Sequence, residues 1–364
     1  MTKKEIYKKI ASSLVFLYLF LLSMKLMSSS FKMFGGDFSD QLISLTSDPF
    51  AALFVGILVT SIVQSSSFTT SLAVGLVASG CLTLTGVIPI ILGANIGTTI
   101  TNTIVSISHI RKKGEFKRAF EAAILHDIHN IFAVILFFPL EIKFHLLEKA
   151  SVFVTNFIFN HGPTSDIITK GSFISPLGYI LNPAVDFFEF GLGDNAILLA
   201  TISLVMLFFS LSYFVKILKP LVKTEFKEVI HNSIFKSPKR SFIFGLLLTA
   251  FVQSSSVTTS LIVPFAGLGV LQLEAIYPYV LGANIGTTIT ALLVAFTLGS
   301  YAAVTVAMAH CLFNIFGSVF IYPLKAIPIS ISRKIGETAL TSRAIPLIYI
   351  AVMFFLVPFL IVFL

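Results

Sequence analysis

Apolar residues in this chain fall into long runs with little polar sequence between them, rather than into the half-buried stripes of a soluble fold. Runs at 10–27, 119–140, 195–217, 301–324 and 344–364 each approach the roughly 20 residues that a helix needs to cross the hydrocarbon core. Two denser blocks, 49–107 and 240–299, hold more apolar sequence than one crossing requires. The pattern predicts an all-α polytopic membrane protein folded as one transmembrane domain over 1–364. The first run is longer than the apolar core of a secretory leader and has no small-residue cleavage pattern behind it, so it is read as a retained helix.

Composition agrees: 56% of the 364 residues are hydrophobic and 12% are charged, about half the charged share of a soluble domain. Mean hydropathy is +0.95. A net charge of +8 could suggest nucleic acid, but no soluble basic domain carries it, and nucleic acid is excluded as a partner. The two cysteines, Cys81 and Cys311, lie far apart in apolar sequence and make neither a disulfide framework nor a metal site.

Loop charge orients the chain. The N-terminal MTKKEIYKK, the segment 111–118 (RKKGEFKR) and the segment 216–240, with seven basic and two acidic residues, are placed on the cytoplasmic side by the positive-inside rule. The connection 141–194, with acids at Glu141, Glu148, Asp166, Asp186, Glu189 and Asp194 against Lys143, Lys149 and Lys170, and the acid-rich loop 32–48 belong outside. Residues 325–343 return inside, and the helix at 344–364 ends outside. The block 49–107 therefore enters from outside and leaves inside, while 240–299 does the reverse.

These two blocks are one sequence written twice. GILVTSIVQSSSFTTSLAVG from Gly56 matches GLLLTAFVQSSSVTTSLIVP from Gly245, and LGANIGTTIT from Leu92 recurs from Leu281. His126-x-x-x-Asn130-Ile131-Phe132 matches His310-x-x-x-Asn314-Ile315-Phe316. Repeat 1 spans about 10–140 and repeat 2 about 195–324, joined by the external connection. Repeats alike in sequence and opposed in topology are the mark of secondary transporters, with the site at the repeat interface. Packing alone would call for Gly, Ala and Ser, not for Gln beside three Ser at matching places in both halves.

Gln64-Ser65-Ser66-Ser67 and Gln253-Ser254-Ser255-Ser256 sit in apolar sequence, where an unsatisfied polar group costs several kcal/mol. Hydroxyls, an amide and free N–H groups at a helix start are a neutral donor set that suits a tetrahedral oxyanion. Gly93, Gly97, Gly282 and Gly286 favour a helix break, and Asn95, Thr98, Thr99, Asn284, Thr287 and Thr288 offer hard oxygens that suit sodium. Asp127 is an intramembrane acid whose place in repeat 2 is taken by Cys311; it could neutralise a cation or pair with a basic residue of the nearby loop. His126 and His310 read as hydrogen-bonding glue between helices, and Glu121 and Glu274 as interfacial.

Paired QSSS motifs, each followed by GANIGTT, with HDxxN after the first and HxxxN after the second, resemble the type II sodium-dependent phosphate cotransporter family. The likeness runs from about 51 to 364, interrupted by the connection. It implies two re-entrant hairpins and broken transmembrane helices, with the two QSSS segments binding inorganic phosphate. It adds Thr103 and Asn130 to Asn95, Thr98, Thr99, Asn284, Thr287 and Thr288 as sodium-site residues, and links an acid at Asp127 to electrogenic transport of divalent phosphate by alternating access. His109 and Lys112 stand where better-known relatives carry Gln and Asp, which puts one sodium site in question. The short connection without paired cysteines points to a compact bacterial member in the inner membrane, its N-terminus cytoplasmic. Sodium is the coupling ion, the bilayer the setting, and no cofactor or catalysis is implied; a homodimer is left open. The alternatives are a transporter of another oxyanion and an intramembrane serine hydrolase.

Overall fold

The computed structural model describes residues 3–159, 177–193, 195–232, 234–342 and 344–363, and no strand occurs among them. Asp166, Lys170, Asp194 and Arg343, which entered the charge argument, lie outside the described residues. In chain order the first half contains α1 (Lys3–Met33), α2 (Gly36–Leu45), α3 (Pro49–Val63), α4 (Ser66–Ser79), α5 (Leu84–Gly97), α6 (Ile100–Ile107), α7 (Lys113–Phe144) and α8 (Leu146–Phe159). After α9 (Gly178–Leu192) come α10 (Ala196–Asn232), α11 (Pro238–Val252), α12 (Ser255–Ser260), α13 (Val263–Gly267), α14 (Leu273–Leu298), α15 (Tyr301–Ile321), α16 (Ala326–Thr338), α17 (Ala344–Ala351) and α18 (Val357–Phe363). Seven helices among the described residues are long and apolar enough to span a bilayer: Tyr7–Met33, Leu84–Ile107, Lys113–Phe144, Ala196–Ile217, Leu273–Leu298, Tyr301–Leu324 and Ala344–Phe363. The chain is a multi-pass membrane protein.

The elements outside that set are the ones that shape the site. Helices α3 and α4 have 15 and 14 residues, too few to cross, and meet at Gln64 and Ser65. The Thr60 hydroxyl donates to the Thr69 hydroxyl at 2.9 Å. Nine residues of continuous helix would separate them by about 13.5 Å, so the chain must reverse between them. In the second half Thr249 and Thr258 bond at 2.7 Å, which defines the same hairpin between α11 and α12. Each hairpin starts on a capped turn with proline behind it. Asp48 accepts from the Phe50 and Ala51 N–H groups ahead of Pro49, and Ser237 accepts from Arg240 N–H ahead of Pro238.

Hairpin arm α3 packs along α5, and α11 along α14. Here the glycines of the GANIG segments act differently from expectation. A Cβ at Gly93 would run into the Leu53 carbonyl of α3, and one at Gly282 into the Phe242 carbonyl of α11; Gly97 and Gly286 meet Ile57 and Leu246 in the same way. These glycines allow backbone-to-backbone approach between arm and helix. The helix is interrupted only in the first half, at Thr98 and Thr99, whereas α14 runs unbroken through its GANIGTT. The expected break thus occurs in one repeat, directly after Gly97, while the identical segment of the other repeat stays helical.

The halves interlock. The first long helices, α1 and α10, lie together, with Phe16 stacked on Tyr213 at 5.4 Å between ring centroids. Helix α8 packs on α15 while α16 packs on α7, so each half supports the other's histidine-bearing helix. One other expectation is corrected. The segment 32–48 is mostly helix, α2, turned 97° from α3. Glu121 is buried against Gly336 with Lys117 3.8 Å away, while Glu274 is exposed and pairs with Arg333.

Candidate functional site

The hairpin tips bring the two QSSS segments together. At each tip the glutamine closes the incoming helix in the left-handed conformation, φ 56° at both Gln64 and Gln253. That geometry costs a non-glycine residue about 1–2 kcal/mol. The next serine caps the outgoing helix: Ser65 Oγ accepts from Phe68 N–H at 3.2 Å and Ser254 Oγ from Val257 N–H at 3.4 Å. Ser66, Ser67, Ser255 and Ser256 then occupy the first turns, where N–H groups have no acceptor within the helix.

Contacts cross between repeats. Ser67 Oγ donates to the Gln253 carbonyl at 2.8 Å, and Ser256 Oγ to the Thr98 carbonyl, at the break in repeat 1, at 3.3 Å. A cavity of about 280 Å³ lies beside these bonds, lined by Gln64 and Ser65 from one tip and Ser254 and Ser256 from the other. Ser66, Ser67, Gln253 and Ser255 are buried behind it. Phe208, Leu211 and Val215 of α10 form an apolar wall. Sequence reading missed that wall, and nothing in α10, apolar like any span, marks it. It also missed Thr101, which lines the cavity with a buried hydroxyl that has no hydrogen-bond partner. Its signal was available: Thr101 closes the exact LGANIGTTIT repeat.

Behind the tips runs a chain of hydrogen bonds that crosses between the repeats at Thr259 and at Asn284. Thr259 donates to Asn102 Oδ1 at 3.0 Å, Asn102 Nδ2 meets His126 Nδ1 at 3.3 Å, and His126 Nε2 meets Asn284 Oδ1 at 2.5 Å. Asn284 Nδ2 donates to Asn130 Oδ1 and Asn130 Nδ2 to the Asn95 carbonyl, both at 2.7 Å. With amides oriented this way, every donor points the same direction along the chain. His126 then accepts at Nδ1 and donates at Nε2, the pattern of a neutral imidazole. The expectation of His126 as glue between helices fits; His310, buried with neither ring nitrogen hydrogen-bonded, does not share that role.

Asp127 lies beside this chain and is fully buried. One carboxylate oxygen accepts from Thr99 Oγ1 at 2.5 Å and the other from the Tyr349 hydroxyl of the C-terminal helical segment. Both partners are neutral, and no basic side chain forms an ion pair with it among the described residues, which removes the salt-bridge alternative. Thr288, the counterpart of Thr99, has no acid to meet, since Cys311 stands in the place of Asp127. Of the remaining cation candidates, Thr98 Oγ1 and Thr288 Oγ1 donate back to Ala94 and Ile285 carbonyls, and the buried hydroxyls of Thr103 and Thr287 have no partner. His109 and Lys112 both turn to Glu115, at 3.4 and 2.8 Å, and join neither the cavity nor the buried chain. The Ser65, Ser67, Ser254 and Ser256 hydroxyls bond to backbone groups, and no QSSS hydroxyl is hydrogen-bonded to an imidazole among the described residues.

The sequence profile described as Na+/Pi-cotransporter matches residues 19–155 and 206–319. The chain is 33% identical to sodium-dependent phosphate transport protein 2A of Rattus norvegicus over 423 residues, covering 96% of this chain and 66% of the relative. It is 32% identical to sodium-dependent phosphate transport protein 2B of Homo sapiens over 435 residues, covering 94% and 63%. The chain thus spans slightly less than two thirds of the length of these relatives. No solved structure matches.

Proposed function

The chain belongs to the type II Na+/Pi-cotransporter family, and from that premise we propose that it is a secondary transporter coupling sodium entry to the uptake of inorganic phosphate. The observation that carries this reading is the cavity between the hairpin tips, where Gln64 and Ser65 of one repeat face Ser254 and Ser256 of the other. All four offer neutral donors, and the first turns behind them add N–H groups. Such a set can take the place of water around a tetrahedral anion and still release it, because no fixed cation holds the charge.

Sodium is assigned to the buried polar layer behind the tips. Asn95, Thr98, Thr99, Thr103, Asn130, Asn284, Thr287 and Thr288 supply oxygens there, and Asp127 a negative charge without a side-chain counterion among the described residues. The Ser256 contact to the Thr98 carbonyl ties the anion-facing tip to this layer. Sodium ordering the break at Thr98 and Thr99 would therefore order the tip, and by reciprocity bound phosphate would tighten sodium. Alternating access of two inverted repeats in a bacterial inner membrane, with one net charge moving inward per divalent phosphate, completes the scheme.

The test is uptake of labelled phosphate into proteoliposomes of the purified protein. Uptake should follow an inward sodium gradient and not potassium or proton gradients, with excess sulfate competing poorly. Sodium-driven uptake of sulfate in preference to phosphate would move the assignment to another oxyanion.

A further inference from the structure

At the far end of α7 from the basic loop, independent of the transport site, three metal-ligating side chains converge. Glu141 is in the last turn of α7, His145 is the single residue between α7 and α8, and Glu148 is in the first turn of α8. One ligand atom from each lies within 4.8 Å of the other two. His145 takes the left-handed conformation, φ 52°, and so turns α8 back toward the end of α7.

The Glu141 carboxylate is buried, 3% exposed, and accepts from the Leu147 N–H at 2.6 Å and, more weakly, from the Glu148 N–H at 3.3 Å. Capping accounts for its place but uses only part of its capacity, since a carboxylate has about four lone-pair positions. No ion pair to a lysine or arginine is found for Glu141 among the described residues. The His145 side chain is 45% exposed, but its Nδ1 atom is buried, makes no hydrogen bond, and sits 3.3 Å from Glu148 Oε2. That separation holds an ion pair when the imidazole is protonated; with a neutral imidazole the nitrogen and the carboxylate oxygen can share a cation. A tetrahedral ion with bonds of about 2.0–2.1 Å holds its ligands about 3.3–3.4 Å apart, which matches this separation. Glu148 Oε2 is also held by the Thr85 hydroxyl at 2.9 Å, so the cluster is fixed from the start of α5 as well.

We propose that Glu141, His145 and Glu148 form a binding site for a zinc-class divalent cation at the junction of α7 and α8. One imidazole and two carboxylates select a borderline first-row ion over magnesium or calcium, which prefer all-oxygen shells. A bound ion would join the helix that carries Asp127 to α8 and, through Glu148 and Thr85, to the helix that carries GANIGTT.

The experiment titrates the purified, chelator-treated full chain with zinc chloride by calorimetry, with His145→Ala, Glu148→Gln and the double variant in parallel. Glu141 is left intact because its carboxylate also caps α8. The expected result is one saturable zinc per chain, unaffected by millimolar magnesium or calcium, with affinity reduced at least tenfold in each single variant. Sodium-driven phosphate uptake without zinc and elution as a single folded species control for folding of the variants. Absence of stoichiometric zinc binding by the unaltered protein, or equal affinity in folded variants, overturns the proposal.

Discussion

Replacing Asp127 by Asn tests the link between one buried charge and the energetics of uptake. The substitution keeps size and shape. The Asn carbonyl can still accept from Tyr349, and its NH2 can donate to Thr99 Oγ1, whose own proton already has a second acceptor in the Ile96 carbonyl at 2.8 Å. The fold should therefore survive, at a cost of about 1–3 kcal/mol for rearranged hydrogen bonds. What disappears is one negative charge that no side-chain cation among the described residues offsets. A unit charge moved through 100 mV is worth about 2.3 kcal/mol, or about 50-fold in the phosphate ratio that uptake can sustain. In proteoliposomes with an imposed inside-negative potential, the unaltered protein should show this voltage-dependent gain and Asp127→Asn should lose most of it, while keeping sodium-dependent uptake at zero potential. Equal voltage dependence in the two proteins would refute the reasoning, because Asp127 would then have no part in the translocated charge.

Gln64→Gly and Gln253→Gly each release a left-handed non-glycine residue, so thermal stability in detergent should hold or rise, by up to about 1–2 kcal/mol, while phosphate uptake falls at least tenfold; retained uptake would remove the glutamines from the site. Gly93→Ala and Gly282→Ala press a methyl into the opposing backbone and should destabilise by about 1–3 kcal/mol or more, read as a fall in melting temperature. Gly75→Ala is the contrast, since its Cβ would meet only the mobile ends of Met24 and Met27, at 3.2 and 3.4 Å; equal losses at all three positions would contradict the packing role. Asn284→Leu strands His126 Nε2 and Asn130 Oδ1 and should cost about 2–6 kcal/mol as two buried groups lose partners, whereas Asn314→Leu, which frees only a bond to the His310 carbonyl, should cost less. Chemical unfolding of the two variants compares them.

Much of this was legible because membrane burial makes polar residues conspicuous. A Gln beside three Ser in apolar sequence had to have partners, and an exact repeat had to place two such groups in related positions. The glycines were misread for a definite reason. Gly weakens a helix and also permits close packing, and only the neighbour on the other side, here the Leu53 or Phe242 carbonyl, tells which property is in use. Tyr349 lies 222 residues from Asp127, and the α10 wall joins residues of both repeats, with no motif to announce either contact. The burial of Glu121 against Gly336 depends on how α16 docks on α7, which the local pattern around Glu121 does not encode.

On the proposed sites, the departures from two-fold symmetry follow a division of chemistry between the halves. A tetrahedral anion can accept hydrogen bonds from both repeats at once, so the tips that face it can stay alike: the same glutamine conformation, the same capping serine, the same threonine pair closing the hairpin. A single carboxylate cannot lie in both halves. Where repeat 1 pairs Thr99 with Asp127, repeat 2 has Cys311 in place of the acid and Thr288 donates back to the Ile285 carbonyl, and the helix carrying the threonine is interrupted in the first case and continuous in the second. The break frees the Thr98 carbonyl to meet Ser256 of the other repeat, so the half that holds the charge is also the half that reaches across to the opposite tip. An ion attracted to Asp127 would thus act on the anion-facing serines through two contacts, Thr99 to the carboxylate and Thr98 to Ser256. Substituting Cys311 by Asp would add a second carboxylate without supplying the break. Such a variant should gain sodium affinity, if at all, without gaining phosphate coupling, and a matched rise in both would show that charge alone couples the sites.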